Sequence, residues 1–184
     1  MLRVYISVLI LFTSLFVLES CTQKKALSEK SANNSSQVII ENVPFVKQKD
    51  KFCGPAAMAS VMQFYGQNIG QDEIAQEIYI PELNGALISD MENFARESGY
   101  TVESSNGDIE SLKSHIDDQQ PVILLVDRGR WKVSVPHYYV AYGYSDQDST
   151  IIIHSGFKSA QKISVEKLDD EWKRMNRLML VIKK

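Results

Sequence analysis

The rhythm of apolar and polar positions changes twice along this chain. Residues 4 to 18, "VYISVLILFTSLFVL", are apolar almost throughout, and residues 22 to 37, "TQKKALSEKSANNSSQ", are polar with no periodicity. The apolar stretch follows the positive start "MLR" and is shorter than a typical membrane span, so residues 1–20 read as an export signal. The polar segment 21–37 reads as a flexible tether, and the folded domain is expected over 38–184.

Within the domain, "SQVIIENVPF" reads as a short strand running into Pro44. "GPAAMASVMQFYG" reads as a helix with Pro55 in its first turn and Gly66 just past its end. Only Ser60 and Gln63 are polar in it, so it should be buried nearly all round. "GQDEIAQEIYI" and "GALISDMENFARESG" have the spacing of amphipathic helices, the second stopped by Gly99. "YTVES" reads as a strand. "DIESLKSHIDDQQ" reads as a helix capped by Asp108, with Ile109, Leu112 and Ile116 on one face. After Pro121 the pattern becomes that of strands: "VILLVD", "HYYVAYGYS", "STIIIHS", "KISV" and "RLMLVIK", with "EKLDDEWKRM" a helix before the last. Helices first and mainly antiparallel strands afterwards predict an α+β layout, with the buried helix packed against one sheet.

Composition changes this picture little. The 184 residues suggest one domain, two at most, and the net charge of -3 gives no sign of the strongly basic face that nucleic acid favours. No nucleic-acid partner is expected. The two cysteines matter more. Cys21 closes the apolar stretch in "LESC", which resembles a bacterial lipobox, with Leu18 and Ser20 at the positions the peptidase reads and an atypical Glu19 between them. That resemblance implies removal of residues 1–20, lipidation of Cys21, and a place in the cell envelope, anchored to a bacterial membrane and facing outside the cytoplasm. A plain secretory signal or a single membrane anchor is the alternative. With Cys21 lipidated, Cys53 has no intrachain partner, and its thiol is either inert and buried or kept for chemistry.

Cys53 stands at the start of the apolar helix, where the helix N-terminus lowers a thiol pKa; a nearby imidazole would lower it further. The chain has three histidines. His115 lies off the apolar face of its helix and reads as a surface residue. His137 opens a strand after Pro136, and His154 ends the next strand. A two-residue turn centred on Asp146 would put both on one face of the hairpin, ~5–8 Å apart, whereas an odd-length loop would separate them. His137, Tyr139, Ala141 and Gly143 would share that face and leave room for another element. Tyr138, Tyr142 and Tyr144 would point to the core on the other. A thiol beside a histidine is the nucleophile–base pair of a cysteine hydrolase. The oxyanion would need two donors, for which the Cys53 N–H and the side chain of Gln48, five residues upstream, are the candidates. Three of these residues also have a plainer reading: Cys53 as a small buried hydrophobe, His154 as a packed strand end, Gln48 as a loop residue. Trp131 is either a cleft wall or a cover on the core. Cys53, His137 and His154 could hold zinc, but the usual local ligand spacing is absent, and no metal or other cofactor is expected.

"VPFVKQKDKFCGPAAMASVMQFYG" together with "PHYYVAYGYSDQDSTIIIHSGF" resembles the bacteriocin-processing, double-glycine cysteine peptidases of papain-like fold, over most of residues 42 to 157. "GALISDMENFARESGY" resembles their middle helix. The resemblance implies a papain-like α+β domain with Cys53 as nucleophile, His137 as general base and acid, and Gln48 as oxyanion donor. It also implies a peptide or protein substrate cut after small residues such as a double glycine. No transporter segments are attached, so coupled export would need a separate transporter. The third triad position, usually Asp followed by Pro, is matched here by His154-Ser155-Gly156, an ending that the family's stand-alone lipoprotein branch shares. A neutral His154 would orient His137 without supplying charge. Asp146 and Asp148 read as turn residues. Two rival functions remain open at this stage. One is a non-catalytic peptide-binding lipoprotein with an impaired site. The other is an amide hydrolase or acyl transferase acting on cell-wall peptides.

Overall fold

The apolar run after Cys53 becomes α1 (Cys53–Phe64), in which every residue from Gly54 to Met62 is buried. The computed structural model describes residues 37–184; the expected export signal, Cys21 and most of the expected tether lie outside the described residues. The described chain begins with β1 (Gln37–Ile39) and a loop into α1. Two amphipathic helices follow, α2 (Gln71–Ile78), which buries Ile74, Ala75 and Ile78, and α3 (Ile88–Glu97), which buries Met91 and Ala95. A short 3-10 turn at Pro81–Leu83 between them was not foreseen from the sequence pattern. Next come β2 (Thr101–Asn106), α4 (Ile109–Asp117), β3 (Val122–Asp127), β4 (Pro136–Ser145), β5 (Thr150–His154), β6 (Gln161–Ser164), α5 (Val165–Lys173) and β7 (Leu178–Lys183). Asp108 caps α4 reciprocally: its carboxylate accepts from the Ser111 amide, and the Ser111 hydroxyl accepts from the Asp108 amide.

All strand pairs are antiparallel, in the order β2-β7-β3-β4-β5-β6. β1 also pairs with β4, opposite residues Gly143 to Ser145. β5 covers those residues on the other edge of β4, so β1 occupies the edge that β3 leaves free beyond Ala141. Alternate β4 side chains reach different helices. The Tyr138 hydroxyl donates to Ala86 O ahead of α3, and the Tyr139 hydroxyl donates to Glu171 of α5. This is the expected α+β arrangement, with α1 buried against one face of the sheet.

The hairpin of β4 and β5 corrects one expectation. Next to the turn, Ser145 pairs with Thr150 and Gly143 with Ile152, the parity that would place His137 and His154 on one face. A bulge at Tyr142 then shifts the register, so that Val140 stands opposite His154. One extra residue inverts the alternation, and His154 shares its face with Val140 while His137 shares the opposite face with Tyr139.

The bulge sits where β1 presses on β4. A Cβ at Gly143 would stand 2.8 Å from Val38 O and 3.2 Å from Ile152 Cδ1. Gly143→Ala should therefore lower unfolding free energy by about 1–3 kcal/mol, and should speed hydrogen exchange at the Ile40 amide, which donates to Tyr142 O. An unchanged denaturant midpoint and unchanged exchange would show that β1 does not depend on this close approach.

Candidate active site

Cys53 is the first residue of α1, and Phe52 before it supplies no side-chain cap. The first-turn amides are thus left for the thiol. Sγ faces the amides of Tyr138, Gly54 and Cys53 itself. The Tyr138 amide belongs to the peptide that joins it to His137, so the fold brings the thiol to the start of β4 as expected. Among the described residues Cys53 is a free cysteine. It lines a small cavity with Val46, Tyr138, Val140, His154 and Gly156, so the histidine that shares the thiol's cavity is His154 and not His137.

The His137 ring is buried, and its Nε2 donates to the carbonyl of Ser155 at 2.8 Å. A carbonyl only accepts, so Nε2 carries the proton and Nδ1 keeps its lone pair. The ring packs edge-on against Tyr139 at 5.4 Å and is stacked on Phe157 at 5.5 Å, with 10° between planes. The Arg128 guanidinium lies over the same Phe157 ring, 5.4 Å from its centroid. No hydrogen bond joins Sγ to the His137 ring at rest.

His154 is not the orienter of His137. It lies on the other face, where Nε2 donates to Val43 O at 3.0 Å and Nδ1 accepts from the Ala160 amide at 3.3 Å. Its ring packs on Tyr142 and Phe45. It ties β5 to the segment before α1 and to the loop leading to β6. The part expected of its side chain is taken by the main chain of the next residue. Gln48 comes close to this end of the sheet: its amide donates to Gly156 O at 2.9 Å, and its Oε1 is buried without a partner against Gly156. Gly156 has φ +77, and a Cβ there would stand 2.3 Å from that Oε1. The Gln48 Nε2 has no partner among the described residues.

Several residues of the site escaped the sequence reading. Asp127 ends β3, and its Oδ1 accepts from the amides of Gly129 and Val135, both at 2.8 Å. It closes the loop that delivers His137, and Asp-x-Gly at a strand end is a recognisable turn signal. Ser155 acts through its carbonyl, for which no residue type gives a signal. Phe157 and Arg128 are near His137 only because two loops meet. Asp146 and Asp148 bind Lys113 and Lys162 and stay at the turn. No cluster of metal-binding side chains occurs among the described residues.

Residues 40–180 match the Peptidase_C39 like family. The chain belongs to that family. Among solved structures, it is similar to a protein assigned as a C39-like peptidase from Bacillus anthracis (20% identity, 80% of this chain and 98% of that one, TM-score 0.66). It is also similar to the peptidase domain of Streptococcus ComA, a bifunctional ABC transporter of a quorum-sensing pathway (26% identity, 77% and 98%, TM-score 0.64). A third is a double glycine motif protease from an AMS/PCAT transporter, solved with its leader peptide (19% identity, 80% and 97%, TM-score 0.63). Among curated proteins no sequence match was found. The fold is thus the papain-like α+β fold of the C39-like peptidases.

The electrostatics of this C39-like site correct the expectation of a lowered thiol. Burial pushes the Cys53 thiol up, and this outweighs the Tyr138, Gly54 and Cys53 amides and the Arg128 charge, which pull it down. Burial also pushes His137 down, to about 4, against the hydrogen bond to Ser155. Desolvation disfavours both charged forms, so the resting pair is neutral thiol and neutral imidazole. Burial lowers His154 as well. A histidine held below its unfolded value of about 6.5 makes no difference to stability above that pH. As pH falls from about 6.5, the unfolded chain binds a proton that the fold refuses, and stability declines until His137 titrates near 4. The span is worth about 3 kcal/mol for His137 alone. Denaturant unfolding at pH 7 and pH 4.5 should show that loss, with His137→Gln losing less. Equal stability at both pH values would contradict the neutral buried imidazole.

Proposed function

We propose that the protein is a cysteine peptidase of the cell envelope, tethered to a membrane through a lipidated Cys21, with Cys53 as nucleophile and His137 as general base and acid. The observation that carries this reading is a thiol at a helix start against the Tyr138 amide, one residue along β4 from a histidine whose Nε2 is fixed by Ser155 O; the His137 ring lies on the other face of β4, so the pair has to close on substrate binding. Both groups are neutral at rest, so the proton moves from Sγ to Nδ1 as the sulfur attacks the peptide carbonyl carbon. The oxyanion accepts from the Cys53 N–H and the Gln48 side-chain amide. The imidazolium then gives its proton to the leaving amine, and water, deprotonated by His137, releases the acyl group from sulfur. The Ser155 carbonyl stabilises the imidazolium by its dipole, where a carboxylate would do so by charge.

Likeness to the double glycine motif protease and to the ComA peptidase domain supports a peptide substrate with small residues before the scissile bond, and a separate transporter as partner. A peptide bearing a Gly-Gly site should be cut by the wild type. Cleavage should be abolished by Cys53→Ser and reduced about 100-fold or more by His137→Ala. Gly156→Ala, which displaces Gln48, should lower kcat/KM about 10- to 100-fold. The absence of a resting Sγ–imidazole hydrogen bond favours the rival reading of a peptide-binding lipoprotein. Equal binding of the peptide by wild type and Cys53→Ser with no cleavage by either would establish that rival. Cleavage of cell-wall peptides but not of the Gly-Gly peptide would point to the amide hydrolase instead.

The tether rests on "LESC" at the end of the apolar stretch. Cys21→Ser should leave an uncleaved precursor or release the protein from the membrane fraction. A mutant that fractionates and migrates like the wild type would remove the lipid anchor from the reading.

A further inference from the structure

Four exposed apolar residues, Trp131, Val133, Val135 and Phe157, gather at the end of the sheet where β4 begins. Trp131 is 104% exposed and has φ +61, at the tip of a small hairpin closed by the bridge between Arg130 and Val133. It covers no core and walls no cleft. The hairpin is braced from below by Asp127, which takes hydrogen bonds from Gly129 and Val135 and faces Arg174. The tip is thus an aromatic ring held out on a supported loop.

Its charge is one-sided. Arg128, Arg130 and Lys132 lie in the hairpin, and Lys158 lies beside Phe157 in the neighbouring loop. None of the four forms an ion pair among the described residues, although the whole chain carries a net charge of -3. No acidic residue occurs between Asp127 and Asp146, or between Asp148 and Glu166. The cation–π contact of Arg128 with Phe157 joins the two loops into one surface.

We propose that this hairpin is a second membrane contact, in which Trp131 enters the headgroup region of an anionic bilayer and Arg128, Arg130, Lys132 and Lys158 pair with lipid phosphates. A tryptophan flanked by cations suits the membrane–water interface, and each lysine or arginine near an anionic surface adds attraction that falls off within a Debye length. The shape favours lipid over an acidic peptide: ligand sites are concave, whereas this tip projects. Chain length permits the contact. The described chain starts at Gln37, paired with Ser145 at the far end of β4 from Pro136, roughly 30 Å away at about 3.3 Å per residue. Residues 22 to 36 extend to ~50 Å at most, so the apolar N-terminal segment and the tip can reach the same bilayer. In that pose the candidate active site faces the membrane surface. The proposal rests on the lipid-anchor reading for bringing the chain to a membrane but not on peptidase activity, and Trp131 shielding and Cys21→Ser fractionation are read separately.

The test uses the full chain reconstituted into vesicles of phosphatidylcholine alone or with about a third phosphatidylglycerol. Trp172 is fully buried, so the difference between wild type and Trp131→Phe isolates the Trp131 signal. In the anionic vesicles Trp131 emission should shift to the blue, acrylamide quenching should fall several-fold, and acyl-brominated lipid should quench it. High salt, and Arg130→Glu with Lys132→Glu, should reverse all three. Melting curves of the variants confirm that these exposed substitutions leave the fold intact. Acrylamide quenching that is equal in detergent and in both vesicle types would overturn the proposal. So would shielding of Trp131 that appears only on adding an acidic peptide.

Discussion

α1 is apolar on every side, and the rest of the structure is arranged to cover it. Nine consecutive residues, Gly54 to Met62, are buried, which requires a sheet on one side and other helices around the remainder. A helix enclosed in that way cannot choose where it begins. Its N-terminus has to emerge at the end of the sheet, and Cys53 emerges with it. The next residue must be small for the same reason: a Cβ at Gly54 would stand 3.0 Å from Ala86 and 3.4 Å from Met91. Close packing, more than any feature of the thiol, fixes where the sulfur sits.

The same burial decides the electrostatics. The amides of Tyr138, Gly54 and Cys53 and the charge of Arg128 all favour a thiolate at Cys53. Here the loss of hydration is the larger effect, and it acts on the imidazole as well. Two groups that would attract one another when charged are both kept neutral, because burial penalises each charged form more than the surrounding dipoles favour it. Stacking of Phe157 on His137 and of Arg128 on Phe157 deepens this shielding from a loop that remains half open to solvent.

Much of the fold was legible in the sequence because the pattern of each element was strong. α1 was marked by Pro55, Gly66 and a near-absence of polar residues, and the five late strands by β-branched runs between turn residues. Cys53 at a helix start and His137 at a strand start are local facts, and local facts carry over. The failures are all non-local. A single extra residue at Tyr142 moves His154 to the other face, and nothing in "YVAYGYS" marks that bulge except Gly143, whose small size alone does not specify one. The net direction of the thiol shift depends on the depth of burial, which no motif states. Arg128 and Phe157 meet across two loops that are distant in sequence.

The acceptor that fixes the His137 tautomer is a main-chain oxygen. Every residue type has that atom, so no point substitution can delete it; the Ser155 side chain matters by another route, since its hydroxyl accepts from the Lys158 amide and holds the loop. The His154 side chain takes no part in that contact and serves as a strut between β5 and the segment before α1. A search for a third catalytic side chain by residue type would therefore score this site as broken. What a lineage must preserve here is the course of the chain through residues 154 to 157, with Gly156 as the residue in it that tolerates least change.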